Sequence, residues 1–319
     1  MGHLHFQQIL TKISVNFRQF LPCAYTEYRF YFVSCEIFEN YGIMNVLGID
    51  IGGTSIAVGK VEDGKIVRQV RAGTRAAEGG DVTLGVLKSL VAELIDGETR
   101  AIGVGVPSVV DRKRGVAYNV QNIAGWDEVD IRGILEGEFG LPVFVDNDAN
   151  CFAFGEKIFG KGREFQNFVG VTLGTGVGSG IISAGRLLPD ANCGSGEFGE
   201  VRVGGVKFDN WCGSHFFPDE TGMSGAELSA LAGTGDAGAL RAFEEYGRRL
   251  SELVRLIVLV LDPEAVIFGG SIAKSFDLFG DAIRANLTDF PYPKSIEKLK
   301  ILASDGNDSG VLGAASLCF

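Results

Sequence analysis

The chain has 319 residues, 46% of them hydrophobic, with 46 glycines and a net charge of −11. That supplies apolar material for two cores, and the acidity argues against a nucleic-acid backbone or an anionic membrane as the main partner. No run approaches the ~18 apolar residues of a membrane span, and the six cysteines form no framework, which fits a reducing cytoplasm.

Residues 1–43 stand apart in composition. They hold six of the 23 phenylalanines and four of the seven tyrosines, with three basic and three acidic residues and no clear period. Lacking a basic n-region and an uninterrupted apolar run, they do not read as a signal peptide. The expectation is an extension upstream of a domain that starts near Met44.

A strand then runs through Val46-Leu47-Gly48-Ile49-Asp50-Ile51 into a tip, Gly52-Gly53-Thr54, and out again through Ser55-Ile56-Ala57-Val58. The pattern recurs at Val169-Gly170-Val171-Thr172-Leu173, with the tip Gly174-Thr175-Gly176 and a return from Val177. Overlaid, Gly48 meets Gly170, Asp50 meets Thr172 and Gly52 meets Gly174. Two glycine tips of this kind can aim backbone N–H groups at phosphate oxygens and grip a nucleotide from both sides. No lysine follows either tip, so neither is a Walker loop, and strand rather than helix follows the first, which argues against a dinucleotide fingerprint.

Between the tips, Asp81 to Asp96 has helical apolar spacing, and Ala101 to Val106 is a buried strand ending at Pro107. Ile131 to Phe139 reads as a helix stopped by Gly140 and Pro142, and Val143-Phe144-Val145 as a strand running into Asp146-Asn147-Asp148. The second half reads as helices over Ala149 to Phe159, Glu227 to Ala232 and Gly238 to Leu261. The strand Ala265 to Phe268 opens into Gly269-Gly270, and a last helix from Gly310 is expected to return to the first domain. Alternation of this kind predicts an α/β fold. The expected domains are 44–148, completed by 305–319, and 149–304.

Histidine is confined to His3, His5 and His215, so a general base is expected to be a carboxylate. Asp148, at a strand end where α/β sheets place ligands, can serve as that base or simply cap the following helix. Asn122 and the acids Glu197 and Glu200 are loop groups able to hold sugar hydroxyls, or ordinary turn residues. Gly269-Gly270 can lie against a nucleoside or form a plain strand-to-helix turn.

From Val46 onward the chain resembles the ROK sugar kinases, which have the two-domain actin-like ATPase (ribonuclease H-like) fold. The resemblance rests on Asp50 to Thr54, Gly103 to Pro107, Asn122 to Trp126, Asn147 to Asn150 with Gly155-Glu156, and Leu173 to Gly178. Gly196 to Gly199, Asp262 to Glu264, Phe268 to Gly270 and Gly310 to Ala315 extend it. It implies ATP-dependent phosphorylation of a hexose, glucose or a relative such as N-acetylmannosamine, with ATP and Mg²⁺ and Asp148 as catalytic base. Sugar contacts are implied at Asn122, Asn147, Asp148, Glu197 and Glu220, the last because Ser224-Gly225 follows it. Glu200 stands where the family usually has histidine, so its contact with the sugar should differ. Asp50 is implied to position the Mg-nucleotide, with Gly52, Gly53, Thr54, Gly174, Thr175, Gly176, Gly269 and Gly270 around the phosphates and nucleoside. A homodimer is implied as well.

Two departures matter. The family's cysteine cluster before Glu220 is reduced to Cys212, so no structural zinc is expected; Cys193, Cys212 and His215 lack the spacing to replace it. Ser108 replaces the usual glycine after Pro107. The family also contains repressors, but residues 1–43 have neither the length nor the charge of a DNA-binding module. A chaperone or filament ATPase of the same fold is disfavoured by Glu197 and Glu220.

Overall fold

A computed structural model describes residues 45–120, 123–306 and 309–319; the predicted extension over 1–43 and the predicted sugar contact Asn122 lie outside them. Two five-stranded sheets share one plan. In the first, β1 (Asn45–Ile51), β2 (Ser55–Glu62) and β3 (Lys65–Gly73) form an antiparallel meander, and β4 (Ala101–Val106) and β8 (Val143–Asn147) extend it in parallel. The order is β3-β2-β1-β4-β8. Between β4 and β8 lies a small sheet of β5 (Val109–Asp111), β6 (Val116–Tyr118) and β7 (Glu128–Asp130).

The second sheet repeats the plan. β9 (Phe168–Leu173), β10 (Val177–Ser183) and β11 (Arg186–Leu187) are antiparallel, and β14 (Ala265–Gly269) and β15 (Lys300–Ala303) are parallel additions, in the order β11-β10-β9-β14-β15. A two-stranded hairpin, β12 (Arg202–Val203) and β13 (Val206–Lys207), stands apart from it. The glycine spacing legible in the sequence thus corresponds to equivalent hairpins, β1–β2 and β9–β10.

Ten helices lie among the described residues: α1 (Gly80–Leu94), α2 (Ile131–Phe139), α3 (Asp148–Ile158), α4 (Phe208–Cys212), α5 (Phe216–Thr221), α6 (Gly225–Gly233), α7 (Ala237–Leu261), α8 (Phe276–Ala285), α9 (Pro293–Lys298) and α10 (Ser309–Ser316). α1 buries Leu87, Leu90, Val91 and Leu94 into the first core beside Ile49, Val58 and Val104. Each such side chain contributes roughly 1.5–3 kcal/mol of transfer free energy. α7 starts at Asp236, whose side chain accepts the Ala239 N–H, and ends where Asp262 turns left-handed before Pro263. Its buried face, including Phe243, Tyr246, Leu250 and Ile257, joins the second core.

α3 leads from β8 in the first sheet to β9 in the second and packs on β9 and β10, while α10 packs on β1, β4 and α3. That seat for α10 depends on missing side chains. A Cβ at Gly103 would overlap the Ala314 carbonyl oxygen, and one at Gly48 the Val311 carbonyl oxygen. α10 is therefore built onto β1 and β4.

Candidate active site

Each tip is a short turn held from outside its own hairpin. In the first, the Gly52 N–H donates to the Ser55 carbonyl at 2.9 Å. Buried Thr74, just past β3, donates its hydroxyl to the Gly52 carbonyl at 2.6 Å and its N–H to the Thr54 carbonyl at 3.0 Å. In the second, the Gly174 N–H donates to the Gly176 carbonyl at 3.0 Å, and the Ser214 N–H to the Gly174 carbonyl at 2.9 Å. The Val177 N–H donates to the Asp209 carboxylate at 2.8 Å. Gly270, at the end of β14 with φ +87°, lies so close to the Leu173 carbonyl that a Cβ would overlap it. The structure thus brings Gly174, Thr175, Gly176 and Gly270 together at one end of the interior strands of the second sheet.

Asp148 opens α3. The two sequence readings for it, base or helix cap, separate here, because the cap is Asn147. Asn147 Oδ1 accepts the N–H of Ala149 at 2.9 Å and of Asn150 at 3.3 Å, and its Nδ2 donates to the Ser108 carbonyl at 3.1 Å. Asp148 shares only the Ala149 N–H, at 2.8 Å, so one of its oxygens is left for other work. Ser108, noted in the sequence for replacing glycine, donates its hydroxyl to the Tyr118 carbonyl and fixes this loop against β6.

The electrostatics mark Asp148 further. Its side chain is exposed to solvent, but protein is packed densely around the carboxyl. That desolvation pushes its pKa up to about 7, and the nearby carboxylates of Asp50 and Glu197 push the same way, against the Ala149 N–H. Burial raises Asp50 too, with the Arg71 guanidinium opposing it. Glu197 is raised by burial and by Glu200, Asp190 and Asp209. Asp50 from the first sheet and Glu197 from the loop before β12 therefore both act on Asp148 of α3. A carboxyl poised near neutrality beside others is a frequent sign of function.

The remaining predicted sugar contacts are differently engaged. Glu200 pairs with Lys207 of β13 at 2.6 Å. Glu220, on α5, pairs with Arg249 of α7 at 2.5 Å, and that guanidinium lies over the rings of Phe216 and Trp211. Among the described residues no three His, Cys, Asp or Glu side chains are grouped to hold a metal ion, and no helix is long and apolar enough to cross a membrane.

Behind the site, buried Asp146 accepts from Asn150 Nδ2 at 2.9 Å and faces Arg112 at 3.6 Å; burial pushes its carboxyl up to about 6, which Arg112 opposes. Arg112 also donates to the Leu188 carbonyl at 2.7 Å, joining the loop after β5 to the segment after β11. Thr74, Asp209, Arg71 and Arg112 were not found by sequence reading. Each acts on residues distant in the chain and leaves no local pattern.

Comparison with known proteins shows the family. The ROK family model matches residues 46–216 and 218–319. A glucokinase of Thermotoga maritima is 30% identical over 307 residues, covering 86% of this chain and 97% of that protein. A beta-glucoside kinase of Listeria monocytogenes is 29% identical, covering 85% and 96%. The crystal structure of a ROK family glucokinase from Streptomyces griseus, in complex with glucose and AMPPNP, superposes with a TM-score of 0.73 at 28% identity, covering 86% and 98%. Fold and site define a sugar kinase with the actin-like ATPase fold. The chain belongs to the ROK family.

Proposed function

We propose that this protein transfers the γ-phosphoryl group of ATP to a hydroxyl of a hexose, glucose or a close relative, with Asp148 as general base. The observation that carries the reading is the Asp148 carboxyl. It is raised to about 7, released from capping by Asn147, and acted on by Asp50, which lies two residues before the first glycine tip. A base near neutrality can accept the proton of the attacking hydroxyl as the O–P bond forms. The glucokinase relatives, one of them solved with glucose and AMPPNP, support the choice of sugar and nucleotide.

In this reading Asn147, Glu197, Glu200, Glu220 and Asn122 orient the sugar, and the tip residues with Gly269-Gly270 hold the nucleotide. Asp50 is a hard oxygen donor next to Asp148, and this donor set suits a Mg²⁺ that takes its other ligands from phosphates and water. When bound, Mg²⁺ neutralises charge on the phosphoryl group. Residues 44–148 with 305–319, and residues 149–304, act as two lobes that close and exclude water.

The test is a coupled ADP-release assay over glucose, mannose, N-acetylmannosamine and a β-glucoside, with Asp148→Asn as control. Turnover on one hexose that falls by ~10²–10⁴ in the variant, with nucleotide binding retained, is the expected result. Near-normal turnover by Asp148→Asn would remove the assignment of the base.

A further inference from the structure

Neither tip has a lysine, and the side chains facing the reacting groups, Asp50, Asp148 and Glu197, share the nucleotide's sign. Arg71 is the cation that acts on this row, through Asp50. It stands on β3 opposite Ala57 of β2, close to the first tip, and its side chain is exposed. Nη1 donates to the Ser55 hydroxyl at 3.3 Å. Ser55 closes that tip by accepting the Gly52 N–H through its carbonyl.

The tip itself has spare donors. The N–H groups of exposed Gly53 and Thr54 donate to no acceptor among the described residues. Unpaired amides in a tight turn form an anion-binding concavity. β3 and the residue just past it thus supply two aids: Thr74 fixes the shape of the tip, and Arg71 holds a guanidinium fork at its mouth. A guanidinium can meet two phosphate oxygens at once, which a lysine cannot.

We propose that Arg71 is a nucleotide-binding residue whose guanidinium closes on the terminal phosphates held by the first glycine tip. This rests on the kinase reading above and deepens it, assigning to β3 the positive charge that the phosphate loops lack. The Ser55 hydroxyl holds the arm in place until the nucleotide arrives.

The experiment uses the full chain and its Arg71→Ala and Arg71→Lys variants, titrated calorimetrically with MgATP, MgADP and AMP. Loss of a charge-assisted contact should weaken MgATP binding by about tenfold or more in Arg71→Ala. MgADP should weaken less, AMP should be unaffected, and Arg71→Lys should fall between. The KM for ATP should rise while the KM for sugar holds. Because Arg71 is exposed, the melting temperature should not move. Equal losses for MgATP and AMP would make Arg71 a mere support of the tip and overturn the proposal, as would unchanged MgATP affinity. Failure of the unsubstituted protein to bind MgATP would instead overturn the kinase reading, and this proposal with it.

Discussion

The Asp209 carboxylate accepts the Val177 N–H at 2.8 Å, so the second glycine tip is held by a helix 32 residues further along the chain. Val177 is buried, and a Cβ on Gly176 would overlap that same carboxylate. Asp209→Ala should leave a buried donor unpaired, costing about 1–3 kcal/mol, and let the tip drift. We expect a raised KM for ATP with little change in the KM for sugar. Asp209→Asn retains the acceptor oxygen and should recover most of the loss. Initial rates over both substrates check this; equal effects of the two substitutions would mean that the charge, not the hydrogen bond, matters.

The raised Asp148 carboxyl fixes the sign of a pH effect. A base must be ionised, so kcat/KM should climb from pH 5 and level off above about 7. Stability runs the other way. A carboxyl whose pKa is raised on folding stabilises the fold only in its neutral form. That contribution is fully present below the unfolded value of ~3.9 and is lost as pH rises through about 7. Asp148→Asn, permanently neutral, should therefore melt above the unsubstituted protein at pH 8, and the gap should shrink towards pH 4. Melting curves at both pH values decide it; a variant that melts lower at pH 8 would contradict a desolvated carboxylate.

Much of the frame was legible because burial leaves a pattern. α2 matches its reading over Ile131–Phe139, and α1, α3, α6 and α7 differ from theirs by one or two residues at the ends. The tips showed themselves through glycine spacing. β3 did not, because it is an edge strand with several exposed positions and no clean alternation. Strands β5, β6 and β7, three residues each, are too short to carry a period. At the site, Asp148 and Asn147 were found together, but which of them caps α3 was decided only by side-chain geometry. Thr74 and Asp209 reach the tips across 22 and 32 residues, and Arg112 reaches Leu188 across 76, distances over which a sequence gives no local cue.

Gly103 offers a test of how the last helix is seated. Its missing side chain admits the Ala314 carbonyl, a backbone atom that cannot swing aside. Gly103→Ala should push α10 off β4, with an overpacking cost of about 1–3 kcal/mol or more. Because Asp50 lies against Gly310 at the start of α10, nucleotide affinity should fall as well. Denaturant titration and MgATP binding measure the two effects. Lost stability with unchanged nucleotide binding would uncouple α10 from the site.

The packing of the segment before Glu220 says what holds it. Phe216 and Phe217 are buried with ring centroids 5.0 Å apart, and Tyr246 of α7 lies 5.1 Å from the first and 5.0 Å from the second. The Tyr246 hydroxyl donates to the Cys212 carbonyl at 2.6 Å, and Arg249 covers the Phe216 ring at 4.6 Å while pairing with Glu220. Each aromatic contact adds about 0.5–1.5 kcal/mol beyond its area. Together they anchor the segment by packing. A chelator should therefore leave the melting temperature unchanged, while abolishing activity until Mg²⁺ is restored. Phe217→Ala should cost about 3–5 kcal/mol and, through the 208–217 segment that braces the second tip, weaken ATP binding. Elemental analysis of protein purified without chelators completes the test: stoichiometric zinc, or a melting temperature that drops on chelation, would show that metal and not aromatic packing secures this segment.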